Sequence, residues 1–449
     1  MDTGAGAGAV EILIRRAQGG MVGHAVCDAM GTAVEFLAPG SYEPVTGMRG
    51  GGMFSLLPGQ WTDDTSMSLA TAVGCLRSGL EPGSESVFVD AYAAWAKDAH
   101  WSSNGRVFDV GRCVNQALRE YGAVDDKSGW LEERMEGKVV LERAAGNGGL
   151  MKLLPAVLAL LVPVQGGEMG VVEAIERMVR MSRVTHPSPI ADDATRVYAA
   201  MLFGVGMGEG VGDVLPDEGG VPYTPPGMER AYWECLGKEV REMLEARRYA
   251  DLGGDGVEGA GYVVKTLEAV MWALHVSAQE GGDFGVGALA GINLGKDADT
   301  VGAIYGAVAG MAAGSVEALP QEWVDRVVFR PYISQLAEWC VMHGEGGWGE
   351  EEQLDEYEAA LTTLEAGYKK IYDTFSPGPG PPMVWPRGYK SVSSMQEDVD
   401  LVLGSVECGG VVASFVEGYR VQLEHDLELL GRAIDAGPAR GSLLAALRK

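Results

Sequence analysis

Two short runs of hard oxygen ligands dominate the chemistry available to this sequence. GQWTDDTSM places Thr62, Asp63 and Asp64 immediately ahead of a helix-like apolar pattern. NLGKDADT does the same with Asp297, Asp299 and Thr300. Carboxylates and hydroxyls without a nearby thiol or imidazole suit Mg²⁺ or Mn²⁺, then Ca²⁺, far better than zinc. Four such carboxylates brought together would repel one another, so their convergence would call for divalent cations. Taken singly, each run has a commoner reading as an N-cap with acids in the first helical turn. An EF-hand is excluded, because neither run has the twelve-residue loop with its closing Glu.

Other polar segments carry the same two-way reading. GNGGLMK, with Asn147, Gly148 and Gly149, precedes an apolar run and offers backbone amides to a phosphate, although short Gly loops are more often plain turns. SSNGRVFDVG, with Ser103, Gly105, Phe108 and Asp109, reads in the same way. His186 in THPSPIADD stands at a turn before a helix, where a lone His is more often a cap or a surface residue. Glu35 is either a solvated loop acid or a general base. Asp28, set among small residues, is better suited to capping a turn than to catalysis. There is no HExxH, Walker A loop, nucleophile elbow or dinucleotide fingerprint.

The elements that must position these groups read as helices. Residues 65–79 put Leu69, Ala72, Val73 and Leu76 on one side. Segments 87–97, 150–162, 170–182, 191–206, 228–247, 262–277, 301–314, 332–343, 355–373 and 412–436 follow the same pattern, and alternating runs are scarce. The fold class is therefore all-α. Gly302, Gly306, Gly310 and Gly314 recur every fourth residue and predict a face that admits a neighbouring helix backbone to backbone.

Of 449 residues, 66 are Gly, about twice the usual share, and aromatics are only 8%, so the core is built from Ala, Leu, Val and Met. The net charge of −28 disfavours nucleic acid and anionic membranes, and it obliges any anionic ligand to be held by a local cation. The six cysteines are scattered without a CxxC pair, as in a reduced intracellular protein. No apolar stretch is long enough to span a membrane, and nothing resembles a secretory signal, so a cytoplasmic or nuclear location is expected. Residues 1–18 read as a disordered tail and 19–330 as the main domain, with an insertion at about 206–260. Residues 331–449 read as a helical extension with a Pro/Gly-rich connector at 375–388.

Seven segments in one order carry a resemblance: GHAVCDAMGTAVEF, GQWTDDTSMSLA, HWSSNGRVFDVGRCVNQAL, GNGGLMKLLPAVLAL, THPSPIADDA, GAGYVVKTLEAVMWAL and INLGKDADTVGAIYGAVAGMAAG. Over roughly residues 20–325 the chain resembles the ADP-ribosylglycohydrolase family, closest to its bacterial, arginine-type branch. The resemblance implies a compact all-α domain with a two-magnesium centre, in which Mn²⁺ is a possible substitute. Thr62, Asp63, Asp64, Asp297, Asp299 and Thr300 would hold the metals. Ser103, Gly105, Phe108, Asn147, Gly148 and Gly149 would contact diphosphate and ribose, His186 would lie near the ribose, and Glu35 at the cleft mouth. Glu35 or Asp109 would handle protons, with Asp299 beside the reacting centre.

The implied reaction is hydrolysis of ADP-ribose from a modified side chain, most plausibly arginine, on a protein or a small conjugate. ADP-ribosyl-serine and O-acetyl-ADP-ribose are the alternatives within the same chemistry. A non-catalytic ADP-ribose binder is the alternative outside it, disfavoured because the acidic ligands are all kept. An unrelated magnesium phosphohydrolase would need a phosphate-gripping cation near the acids, for which Lys296 is the candidate.

Overall fold

A computed structural model describes residues 3–344 apart from 142, 143, 252 and 255. Its chain order is α1 (Thr3–Gly31), α2 (Asp63–Ser78), α3 (Glu85–Asp98), α4 (Arg112–Ala123), α5 (Lys127–Met135), α6 (Leu154–Gln165) and α7 (Val171–Arg183). There follow α8 (Pro189–Met207), α9 (Lys238–Ala246), α10 (Val263–Gln279), α11 (Phe284–Ile292), α12 (Ala298–Ala313), α13 (Gln321–Val324) and α14 (Arg330–Gly344). No strand occurs among the described residues; extended pairing is limited to isolated bridges, including Glu35 with Lys296 and Gly146 with Tyr262. The all-α expectation holds. None of the described helices is long and apolar enough to cross a membrane.

Helices α1 and α12 form the axis of the fold, and glycine makes their contact possible. A Cβ on Gly306 would overlap the Gly23 carbonyl, and one on Gly310 the Gly19 carbonyl. Reciprocally, a Cβ on Gly19 or Gly23 would stand 2.5 Å from the carbonyl oxygen of Gly310 or Gly306. Gly302 faces the Cys27 carbonyl. The expected four-glycine stripe is thus three residues long. Gly314 closes α12 as a left-handed cap (φ 89°) and would meet nothing.

Several boundaries differ from the sequence expectation. The stretch 1–18, expected to be a tail, is helical from Thr3, and it buries Leu13 and Ala17. Helix α1 is Gly/Ala-rich and packed on several sides, so it shows no apolar period to read. Residue 330 is not a domain edge, since α14 buries Ile333, Leu336 and Cys340 in the same core. The helix expected over 228–247 is split into a 3₁₀ turn (Arg230–Cys235) and α9, with Gly237 between them. Helices α4, α5 and α11 were not anticipated. The readings at 355–373, 375–388 and 412–436 lie outside the described residues.

The substitution G306A forces a methyl into a backbone carbonyl and is expected to destabilise the fold by about 2–3 kcal/mol or more. G314A meets no neighbour and carries only the strain of a positive φ, about 1 kcal/mol. Urea unfolding of both variants checks the order; equal effects would mean that the helix contact is not close.

Candidate active site

Three helix ends meet at one point. The last turns of α1 bring Asp28 and Gly31, the start of α2 brings Asp63 and Asp64, and the start of α12 brings Asp299 and Thr300. Gly31 is the hinge of this arrangement, because a Cβ there would collide with the backbone of Asp299. The loop after α1 returns Glu35 beside the cluster, tied by Phe36 N–H donating to the Lys296 carbonyl (2.5 Å) and Lys296 N–H donating to the Leu37 carbonyl (2.7 Å).

Asp28 organises the α2 end. It accepts from the Thr62 amide (3.0 Å), the Thr62 hydroxyl (3.0 Å), the Thr65 amide (3.0 Å) and the Thr65 hydroxyl (2.6 Å). The capping role read from sequence is correct. A hydroxyl has one hydrogen, and Thr62 gives its own to Asp28. Its remaining lone pairs lie 3.3 Å from Asp64 Oδ2 and 3.4 Å from Asp299 Oδ2. Thr300 donates to Asp64 Oδ2 (3.2 Å), and the Asn147 amide donates to Asp297 Oδ2 (2.5 Å). Asp297 precedes α12 but makes no capping hydrogen bond, so the ordinary N-cap explanation fails for it.

Carboxylate oxygens outnumber donors here. Glu35 Oε2, Asp64 Oδ1 and Asp299 Oδ1 are buried without a hydrogen-bond partner. Ligand oxygens of Glu35, Asp297 and Asp299 lie within 4.8 Å of one another, a spacing that could hold a metal ion. Glu35 therefore belongs to the acid cluster itself as well as to the cleft wall. Burial is the main cause that raises the acid pKa values, and the neighbouring acids add to it. Glu35 is pushed up to about 12 and Asp109 up to about 7, while Asp63, Asp64 and Asp299 are also raised. Helix N-termini favour negative charge at Asp64 and Asp299, but desolvation outweighs them.

The cluster opens into a cavity of about 500 Å³. Glu35, Asp63, Asp109, Asp297 and Thr300 line one end, and Asn147, Gly148, His186 and Tyr262 line another part of the wall. Thr62, Asp64 and Asp299 lie just behind that acidic wall, buried. The structure thus brings together the two acid runs, the GNG turn and His186, segments far apart in sequence. Four expected contacts do not line the cavity. Ser103 is fully buried and donates to the Trp61 carbonyl (2.6 Å), bracing the residue before Thr62. Gly105 forms a turn with φ 68°, Phe108 packs on Phe54, and Gly149 packs against Ser182. Lys296 points away, its ammonium 2.6 Å from Glu258 at the surface, and Arg112 is the cation that lines the cavity instead. Several lining residues were missed, Tyr262, Phe36 and Arg112 among them. Tyr262, 40% exposed, follows Gly261, whose carbonyl accepts from the Asn147 amide; Phe36 borders Glu35.

His186 is buried, unlike the surface residue that a lone His suggests. Behind it the fully buried Lys152 donates to the Gly148 carbonyl (3.0 Å) and to the Thr185 hydroxyl. Thr185 in turn is hydrogen-bonded to His186 Nδ1 (2.8 Å). Nε2 is 3.3 Å from where a Cβ on Gly146 would sit on the cavity wall. Burial lowers Lys152 to about 7 and keeps His186 neutral. A buried lysine with a depressed pKa costs stability wherever the folded state must be charged. The unfolded chain binds the extra proton between about pH 7 and 10.5, so the Lys152 contribution to stability rises with pH across that window. Wild type should therefore gain stability relative to K152M from pH 7 to 10, by at most about 1.4 kcal/mol per pH unit. A flat difference in urea titrations would refute the shift.

The fold and the cavity define a helical protein with an acid-lined cleft, and comparison with known proteins supplies its family. The ADP-ribosylglycohydrolase family profile matches residues 9–350. The ADP-ribosylarginine hydrolase Tri1 of Pseudomonas putida (strain GB-1) is 31% identical over 335 residues, 73% of this chain and 78% of its own length. The ADP-ribosyl-[dinitrogen reductase] glycohydrolase of Rhodospirillum rubrum is 28% identical, over 70% of this chain and 90% of its own. A solved structure titled ADP-ribosylglycohydrolase-related protein complex superposes with a TM-score of 0.58 at 30% identity, covering 74% of this chain and 99% of that one. The chain belongs to the ADP-ribosylglycohydrolase family and is a glycosidase-type hydrolase.

Proposed function

We propose that this protein hydrolyses the N-glycosidic bond between ADP-ribose and an arginine side chain, with two magnesium ions at the acid cluster. The observation that carries this is the set of three orphaned carboxylate oxygens, on Glu35 at the cavity wall and on Asp64 and Asp299 buried behind it. Each unmade hydrogen bond costs about 1–3 kcal/mol, and a hard divalent cation satisfies oxygen acceptors that no donor reaches. Thr62, Asp63, Asp64, Asp297, Asp299 and Thr300, with Glu35 beside them, fit such ions. When bound, magnesium supplies the positive charge that lets these acids ionise and that holds an anionic ligand in a protein of net charge −28. Arginine as the linkage is supported by the Pseudomonas putida relative, which is named for it.

The residues divide the remaining work. Gly148 of the GNG turn, which lines the cavity, would meet the diphosphate, and the His186 ring would border the ribose. Asp109 is hydrogen-bonded to Glu35, so the two share a proton. The ionised one accepts a proton from the attacking water, and the other gives its proton to the leaving guanidine nitrogen. The water oxygen bonds to the anomeric carbon as the carbon–nitrogen bond breaks, giving ADP-ribose and arginine.

Arginine- and serine-linked ADP-ribosyl peptides, incubated with magnesium or EDTA, test this reading. Release is expected from arginine alone, abolished by EDTA and reduced about a hundredfold or more by D299N. Release from serine alone would change the substrate, and ADP-ribose binding without release would make the protein a binder.

The acid pKa values set a second expectation. With raised folded values, the unfolded state releases protons first, so the cation-free protein loses stability as pH rises above about 4. Magnesium should therefore raise the melting temperature by several degrees at pH 8 and by little at pH 5. Equal shifts at both would place the ion elsewhere.

A further inference from the structure

The acid end of the cavity has an aromatic border that the reaction as described does not use. Phe36 lines the cavity next to Glu35, yet 52% of it is exposed. Phe36 is held in place on both sides. Its amide is tied to the Lys296 carbonyl in a left-handed conformation (φ 61°) that a bulky side chain adopts only under constraint. Its ring meets Phe54 edge-on at 6.3 Å, and Phe54 packs on Phe108 at 5.1 Å. Phe108 is followed by Asp109, itself at φ 53°. Two acid–aromatic pairs, Glu35–Phe36 and Phe108–Asp109, thus flank one corner in which both carboxyls line the cavity.

We propose that Phe36, buttressed by Phe54 and Phe108, is the platform on which the guanidinium of the ADP-ribosylated arginine stacks, and that it selects arginine over serine. The inference rests on the hydrolase reading above and names its leaving-group subsite. The occupant follows from charge complementarity. An exposed ring beside Glu35, Asp63 and Asp109 favours a cation, and a planar guanidinium both stacks on an aromatic face and donates to carboxylates. A serine hydroxyl is neutral and small, so it gains neither contact. The platform lies at the end where the anomeric carbon meets the acids, which is where a leaving group must sit.

Two variants separate the π face from mere bulk. F36L keeps an apolar side chain of similar size and loses the ring; F36W keeps a ring. F36L is expected to lower kcat/KM for arginine-linked peptide about three- to tenfold, mostly through KM, while F36W retains it. Serine-linked peptide should stay uncleaved, and the Kd for free ADP-ribose should not change. An equal loss of affinity for free ADP-ribose, no loss on arginine, or loss in F36W matching that in F36L would overturn the proposal while leaving the hydrolase reading intact. If wild type releases ADP-ribose from neither linkage, the hydrolase reading fails. The platform is then judged by calorimetric binding of N-acetyl-arginine methylamide to the ADP-ribose-loaded protein. Weaker binding to F36L than to wild type supports it, and equal binding rejects it.

Discussion

The backbone-to-backbone contact of α1 and α12 is the constraint from which the site follows. Side chains between two helices normally hold their axes 8–10 Å apart. Gly19, Gly23, Gly302, Gly306 and Gly310 remove those side chains, and Gly31 lets the start of α12 continue the approach. Only because the helices touch does Asp28, near the end of one, come to order the Thr62–Thr65 turn that faces Asp299, at the beginning of the other. The glycines at the contact carry no chemistry. They set the distance at which chemistry becomes available.

That distance creates an electrostatic problem which the rest of the fold must contain. Seven acids, Asp28, Glu35, Asp63, Asp64, Asp109, Asp297 and Asp299, crowd a region largely closed to water, and burial raises the pKa of each. The N-termini of α2 and α12 each offer about half a positive charge, too little against so many carboxylates. Protonation relieves the crowding without a ligand, and a divalent cation relieves it with one. The apolar envelope of α8, α10, α11 and α12 keeps the arrangement rigid in either condition, since such interiors do not deform gradually.

Much of this was legible in the residues, and the illegible parts share a cause. Thr62–Asp64 and Asp297–Thr300 stood out because hard ligands bunched before apolar periods. Asp28 was readable as a cap because small neighbours implied burial. Their meeting was not readable from spacing, because it depends on a helix contact across about 270 residues of chain; only the order of seven motifs implied it. Helix α1 escaped notice because a Gly/Ala helix packed on several sides has no stripe. Ser103 was expected at the ligand but turned inward, since Trp61 needed its carbonyl satisfied in a dry environment. Lys296 lies next to a proposed metal ligand in sequence and still faces away, because a left-handed backbone (φ 57°) and Glu258 turn it outward. Side-chain direction at such strained positions is a tertiary property. The amphipathic period of α4, by contrast, was present in RCVNQALREYGA and could have been read.

The strained residues show why the two tasks of the site can be separated. Phe36, Asp109 and Lys296 all hold positive φ without being glycine, and Phe36 and Lys296 belong to one knot of backbone hydrogen bonds. Each costs on the order of 1–3 kcal/mol unless surrounding contacts enforce it. The knot fixes Glu35 toward the acids and Phe36 toward the opening, so neighbouring residues serve opposite environments. On the proposed reading, recognition of the leaving group can then vary at Phe36 without moving the carboxylates proposed to activate water, and the acid cluster can stay constant while the linkage changes. A relaxed loop would couple the two, because any rotation that re-aimed the ring would carry Glu35 with it.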